Sequence, residues 1–160
     1  MGGWLLCGLL GPAFGAGRET DDPWIHGIFT GKSPRPVPVA RSDACERAGA
    51  LARQTPGAVV LVGFGESMLP LYPPGTILVL QPLAFENLAR GQTAIYRNRA
   101  HQVVAHTLVA KARDGWRSAG LNNRIHDMDA VQAANLLGGV IAAFLPMPDV
   151  GPGLVVASVR

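Results

Sequence analysis

Glycine and proline limit what this chain can fold into. The sequence holds 20 glycines and 13 prolines in 160 residues. From Ala58 onward they cut the apolar sequence into short runs. Proline removes a backbone donor and clashes with the preceding helical turn, and an interior glycine weakens a helix by about 1 kcal/mol. Long helices are therefore disfavoured there, and short strands joined by tight turns are expected. The runs "AVVLVGF", "TILVLQPL", "QTAIYR", "HQVVAHTLVAKA", "GWRSAG" and "LLGGVIAAFLP" read as five or six strands, the first of them buried. Pro73-Pro74-Gly75, Asn98-Arg99 and Asp114-Gly115 turn the chain between them. "DAVQAANLL" reads as one or two helical turns. The expected class is mainly β, a coiled and partly open barrel-like domain.

The segments before this region read differently. Trp4 to Ala16 is apolar, yet shorter than the roughly 20 residues a bilayer span requires. Its length suits a secretory apolar region, and Ala13-Phe14-Gly15 has the small-x-small form of a cleavage site. Residues 1–17 are therefore expected to be a signal or membrane-associating segment. No Lys or Arg precedes the apolar run. Residues 18–40 carry "KSPRPVPV" and read as an extended, proline-rich connector. Residues 41–57 read as one short helix. Ser42 is the expected cap, Ala44, Ala48, Leu51 and Ala52 share a face, and Thr55-Pro56-Gly57 is the stop. Residues 58–146 form the expected main domain, and 147–160 a tail.

Composition excludes several function classes. Basic residues are scattered and the net charge is +3, so no nucleic-acid footprint is expected. Cys7 and Cys45 have neither metal-ligand spacing nor a disulfide framework. No metal or other cofactor is expected.

One stretch has chemical character. "GFGESMLPLYPPGT" places Ser67 just after a strand, beside Gly65 and ahead of the stiffening Pro70, Pro73 and Pro74. That is a rigid, exposed seat for a nucleophile, with Met68 as an apolar wall. By itself a serine in a glycine-rich turn is usually structural. A base must come from His26, His101, His106 or His126. His106 alone sits within a strand pattern, where Val104, His106 and Leu108 share a face and partial burial keeps an imidazole neutral. A carboxylate to orient it could be Asp127 or Asp129, both in the polar loop "AGLNNRIHDMDAV".

Taken in order, these stretches resemble signal peptidase I and its relatives, which include the LexA-type repressors. "GESMLP" is similar to the Gly-x-Ser-Met-x-Pro box. "LARGQTAIYR" resembles the following Gly-Asp segment, and "VVAHTLV" the strand that carries the base. "AGLNNRIHD" resembles the Gly-Asp-Asn-Asn…Asp box, and "LLGGVIAAF" the closing strand. The likeness covers about Val59 to Pro146. The family's base is lysine in bacterial-type enzymes and histidine in endoplasmic-reticulum, archaeal and some Gram-positive versions. His106 places this chain with the histidine type.

The resemblance implies the signal peptidase/LexA catalytic fold and a serine endopeptidase acting on extended polypeptides with small residues at the cut, as in exported preproteins. Ser67 would be the nucleophile, His106 the general base and Asp127 its orienting carboxylate. Gly65, Glu66, Met68 and Pro70 would form the oxyanion and substrate-binding surroundings. Substrate would lie beside Val59–Gly63 and Ile77–Leu80. An exported or membrane-associated location follows, periplasmic or at the outer face of an inner membrane, with the membrane surface as a partner. Four positions depart from the family pattern: Leu121 and Gln92 replace acidic residues, Thr107 an arginine, and Gly65 a hydroxyl residue. Two alternatives stand beside this reading. One is a LexA-like self-cleaving regulator; the Ala-Gly pair present, Ala48-Gly49, sits on the expected helix. The other is an inactive β binding module of the same fold.

Overall fold

The computed structural model describes residues 26–149. The expected segment 1–17, the start of the connector and most of the expected tail lie outside them. The chain runs through β1 (Val37–Ala40), α1 (Arg41–Gln54), β2 (Val59–Val62), β3 (Ile77–Gln81), a 3-10 turn at Phe85–Asn87, β4 (Thr93–Arg97), β5 (Val103–Ala112), β6 (Gly115–Ala119) and β7 (Leu136–Met147). The seven strands form one open sheet in the order β2-β3-β7-β4-β5-β6, with β1 added alongside β7. All pairings are antiparallel except β1 with β7. The mainly-β class is as expected, with one α-helix.

β3 shows how the sequence makes this sheet. Its side chains alternate between faces, as in any strand. Ile77 and Val79 pack on one side with Val39, Ala44 and Ala48, so α1 covers that face. Leu78 and Leu80 pack on the other with Met68, Leu71, Tyr72 and Ile95. Both faces are buried, which is why the run is continuously apolar. A third core gathers Ala94, Tyr96, Leu108, Trp116 and Val131 under β4, β5 and β6.

Several expectations give way. β2 is not a buried strand: Val59 is 48% exposed and Val62 45%. It lies at the end of the sheet, and only Leu61 packs onto a core. The proline-rich connector ends in a strand, with Val37 and Val39 registered against Phe144 and Pro146 of β7. Pro38 is tolerated because β1 pairs on one side only. Because α1 begins directly after β1, Ala40 occupies the cap position without a side-chain bond. Ser42 instead gives its N–H and hydroxyl to Asp149 Oδ1, at 3.2 Å each. Of the one or two helical turns expected over 129–137, a single turn forms, with Asn135 N and Leu136 N both donating to Gln132 O, and no helix continues it. Val131 is pulled into the third core and bonds to Trp116 in both directions, and a turn over Gln132–Asn135 leads into β7. Tertiary burial overrides local helix preference there.

Candidate active site

The nucleophile candidate sits on a loop fastened at its base. Gly63 N donates to Thr76 O and Gly75 N to Gly63 O, both at 2.8 Å. Gly65 follows with φ +82, a conformation that favours glycine. The chain then turns over Glu66–Leu69, closed by Leu69 N donating to Glu66 O. Met68 inserts into the core and anchors the turn.

The 120–123 loop clamps the same turn from outside. Asn122 N donates to Ser67 O at 2.8 Å, and Asn122 Nδ2 to Glu66 O at 3.2 Å. Gly120 permits this approach: a Cβ there would lie 2.5 Å from Ser67 O and 2.9 Å from Ser67 Cβ. The backbone carbonyl of Ser67 is thus used up in holding position. Among the described residues no backbone carbonyl accepts from the Ser67 N–H.

The base candidate comes from β5. Registration places His106 opposite Ala94, Val104 opposite Tyr96 and Leu108 opposite Ser118. The period of two then sets Tyr96, His106 and Ser118 on one face of three adjacent strands. Asp127 arrives over that face, its N–H donating to Ser118 O at 2.7 Å. His106 Nδ1 is 2.7 Å from Asp127 Oδ2, and His106 Nε2 is 2.9 Å from Ser67 Oγ. An ionised carboxylate only accepts, so the Nδ1 proton is donated to Asp127, and Nε2 of the neutral ring accepts from the Ser67 hydroxyl. Tyr96 donates its hydroxyl to Asp127 Oδ2 at 2.8 Å, and Ser118 Oγ donates to the same oxygen at 2.7 Å.

The electrostatics follow from these contacts. Burial pushes the Asp127 carboxyl up, but the hydrogen bond and charge of His106, with the Ser118 and Tyr96 hydroxyls, outweigh it and hold the group below its ordinary value. Burial, with the adjacent Asp127 charge, pushes the Tyr96 phenol far up, so Tyr96 stays a donor.

A cleft of about 420 Å3 opens beside Ser67 and His106. Leu61 to Gly65 line one side and Val103 to Ala105 the other, with Met68, Tyr72 and Leu78 also lining it. β2 has no partner on its outer edge among the described residues. β5 is unpaired from Val103 to His106 on the side away from β4, because β6 joins only at Thr107. Two free strand edges therefore border the cleft. Ile77–Leu80 offers no such edge, since β3 is paired with β2 on one side and β7 on the other. The free edge facing Leu61–Gly65 is thus Val103–Ala105, not the expected Ile77–Leu80.

The structure brings Ser67, His106 and Asp127 together. Gly65 and Met68 line the cleft, whereas Glu66 and Pro70 do not. Asp129 is turned away and accepts from Arg99 N and Nε at 2.9 and 3.1 Å. His26 contacts Asn123 O, His126 contacts Asp127 O, and His101 lies in the β4–β5 turn. Among the departing positions, Leu121 packs on a core, Gln92 accepts from Ala89 N, and Thr107 donates to Ala119 O. Each is thus satisfied locally. Tyr96 and Ser118 were missed by sequence reasoning, since only strand register makes them neighbours of Asp127. Among the described residues no group of three or more His, Cys, Asp and Glu side chains could hold a metal. No described helix is long and apolar enough to cross a membrane. No protein-family model matches the chain, and no curated protein matches it in sequence.

Proposed function

We propose that this protein is a serine endopeptidase of the signal peptidase I type, using the histidine-base version of that chemistry on a coiled, partly open β catalytic fold. The observation that carries this reading is the continuous hydrogen-bonded line from Ser67 Oγ through His106 to Asp127, at 2.9 and 2.7 Å, opening onto a cleft. Nucleophile, base and orienting group stand within hydrogen-bond reach.

The steps follow from that line. Ser67 Oγ attacks the scissile carbonyl carbon while His106 Nε2 takes its proton. The Asp127 carboxylate stabilises the imidazolium that forms. The Ser67 N–H is available to the developing oxyanion. His106 then returns the proton to the leaving amine, and the C–N bond breaks to give an acyl-enzyme. Water, deprotonated by His106, hydrolyses that ester and releases Ser67. The substrate is an extended polypeptide laid between the free edges of β2 and β5, where main-chain hydrogen bonds hold it. Apolar walls beside Ser67 suit small uncharged residues next to the cut. Phe64 at 86% exposure, with exposed Val62 and Val103, makes an apolar rim, which fits an exported or membrane-associated enzyme meeting preprotein-like substrates at a membrane surface.

Self-cleavage at Ala48-Gly49 is less well supported. Both residues lie within α1, and Ala48 is fully buried where the helix packs on the sheet. Lys111 lies at the far end of β5, opposite Trp116.

The test is cleavage of a preprotein peptide with an Ala-x-Ala site, followed by mass spectrometry. Ser67→Ala and His106→Ala should each lower kcat/KM by roughly a thousandfold or more. Native rates in both variants would refute the reading.

A further inference from the structure

The cluster behind His106 is larger than a catalytic triad requires. One oxygen, Asp127 Oδ2, receives His106 Nδ1, the Tyr96 hydroxyl and Ser118 Oγ, at 2.7, 2.8 and 2.7 Å. Ser118 Oγ also lies 3.0 Å from the Tyr96 oxygen, so its single proton is shared between Asp127 and Tyr96. Tyr96 is 1% exposed and Ser118 0%. Solvent does not reach them to substitute for a lost donor. A phenyl ring and a methyl group would fill the same space, so packing alone does not call for two hydroxyls from two strands.

The geometry points to Tyr96 and Ser118 as positioning residues that hold Asp127 as an anion aimed at His106 and set how tightly the Asp127–His106 pair binds a proton. This rests on the serine-peptidase reading. Neither residue touches substrate or the reacting atoms; both act through Asp127. Each donor fixes the carboxylate and spreads its charge. With one donor fewer, Oδ2 is more basic and the pair takes up a proton at higher pH. The protonated pair cannot accept from Ser67, so the acid limb of the activity profile reports this property.

The experiment compares Tyr96→Phe and Ser118→Ala with the native protein in kcat/KM across pH. Each variant should lose about tenfold on the plateau, chiefly in kcat, and its acid limb should move to higher pH by about half a unit to one unit. A uniform loss with an unmoved limb in both variants overturns the proposal. A second readout needs no turnover: the proton NMR signal of His106 Nδ1–H in the Ser67→Ala background. It should lie far downfield and be displaced when Tyr96→Phe is added. An undisplaced signal also overturns the proposal. Native cleavage by Ser67→Ala would instead sink the peptidase reading, while the NMR comparison would still judge the coupling of Tyr96 and Ser118 to Asp127.

Discussion

Behind its apolar lining, the two flanks of the cleft are built on opposite principles. On the β5 side, His106, Tyr96 and Ser118 are buried polar groups, and each finds its partner at Asp127. On the β2 side, Val59, Val60, Val62 and Phe64 are apolar groups left exposed. Buried polar networks are costly to break, because each member left without a partner bears its own desolvation penalty. Exposed apolar groups contribute little to folding and are free to serve a ligand. One wall fixes chemical geometry, and the other offers a surface.

The sharpest way to break this contrast is Asp127→Asn. An amide would present donors to a site already crowded with them and reverse the imidazole tautomer. Peptide cleavage should fall by roughly a thousandfold to ten-thousandfold, and calorimetry should show a loss of about 1–3 kcal/mol at neutral pH. The sign of the pH dependence follows from the depressed Asp127 carboxyl. Its stabilising contribution is complete above the ordinary carboxyl value of 3.8 and is lost as pH falls through the lower folded value. The stability gap between native and variant should therefore narrow only below about pH 3.8. A gap that closes at pH 6 would contradict the network described.

Gly120→Ala tests whether the walls are locked to each other. Its new methyl would press on Ser67 O and Cβ and displace the hydroxyl from His106. Activity should drop on the order of a hundredfold, since misplacement by about 1 Å costs that much. A variant that folds and keeps full activity would show that the loop clamp does not matter. The smallest effect belongs to the apolar wall. Phe64→Ser should change stability by no more than about 0.5 kcal/mol, while KM for an extended peptide rises a few-fold. A large stability loss on urea titration would mean that Phe64 serves the fold rather than the cleft.

The contrast also explains what could be read from the sequence. The strands of the third core were legible as short apolar runs between turn residues. Ser67, His106 and Asp127 were legible only together, from boxes in the right order. By themselves Asp127 and Asp129 were indistinguishable, two residues apart in one polar loop. What separates them is register: Ser118 O seats the Asp127 N–H, and Arg99 takes Asp129. Tyr96 and Ser118 carried no local signal, because their role depends on which residue lies across the strand. β2 was misread for a related reason. "AVVLV" is as apolar as "ILVL", but sheet order leaves one at the edge and buries the other. The Ser42 cap failed where β1 committed the backbone to the sheet, and the 129–137 segment stopped at one turn, between the Val131 bridge to Trp116 and the start of β7.

β7 has a consequence for biosynthesis. It lies between β3, which follows the loop carrying Ser67, and β4, which pairs with the His106 strand β5, and it also pairs with β1. Within the sheet, the β2–β3 pair that flanks Ser67 joins the β4–β5 pair that carries His106 through this strand. Contacts of such long sequence separation form late and slowly. On a ribosome, Ser67 and His106 emerge well before Leu136, and the sheet that sets one against the other stays divided until β7 is added. Ser67, His106 and Asp127 are therefore held in line only after β7 has been synthesised and laid into the sheet.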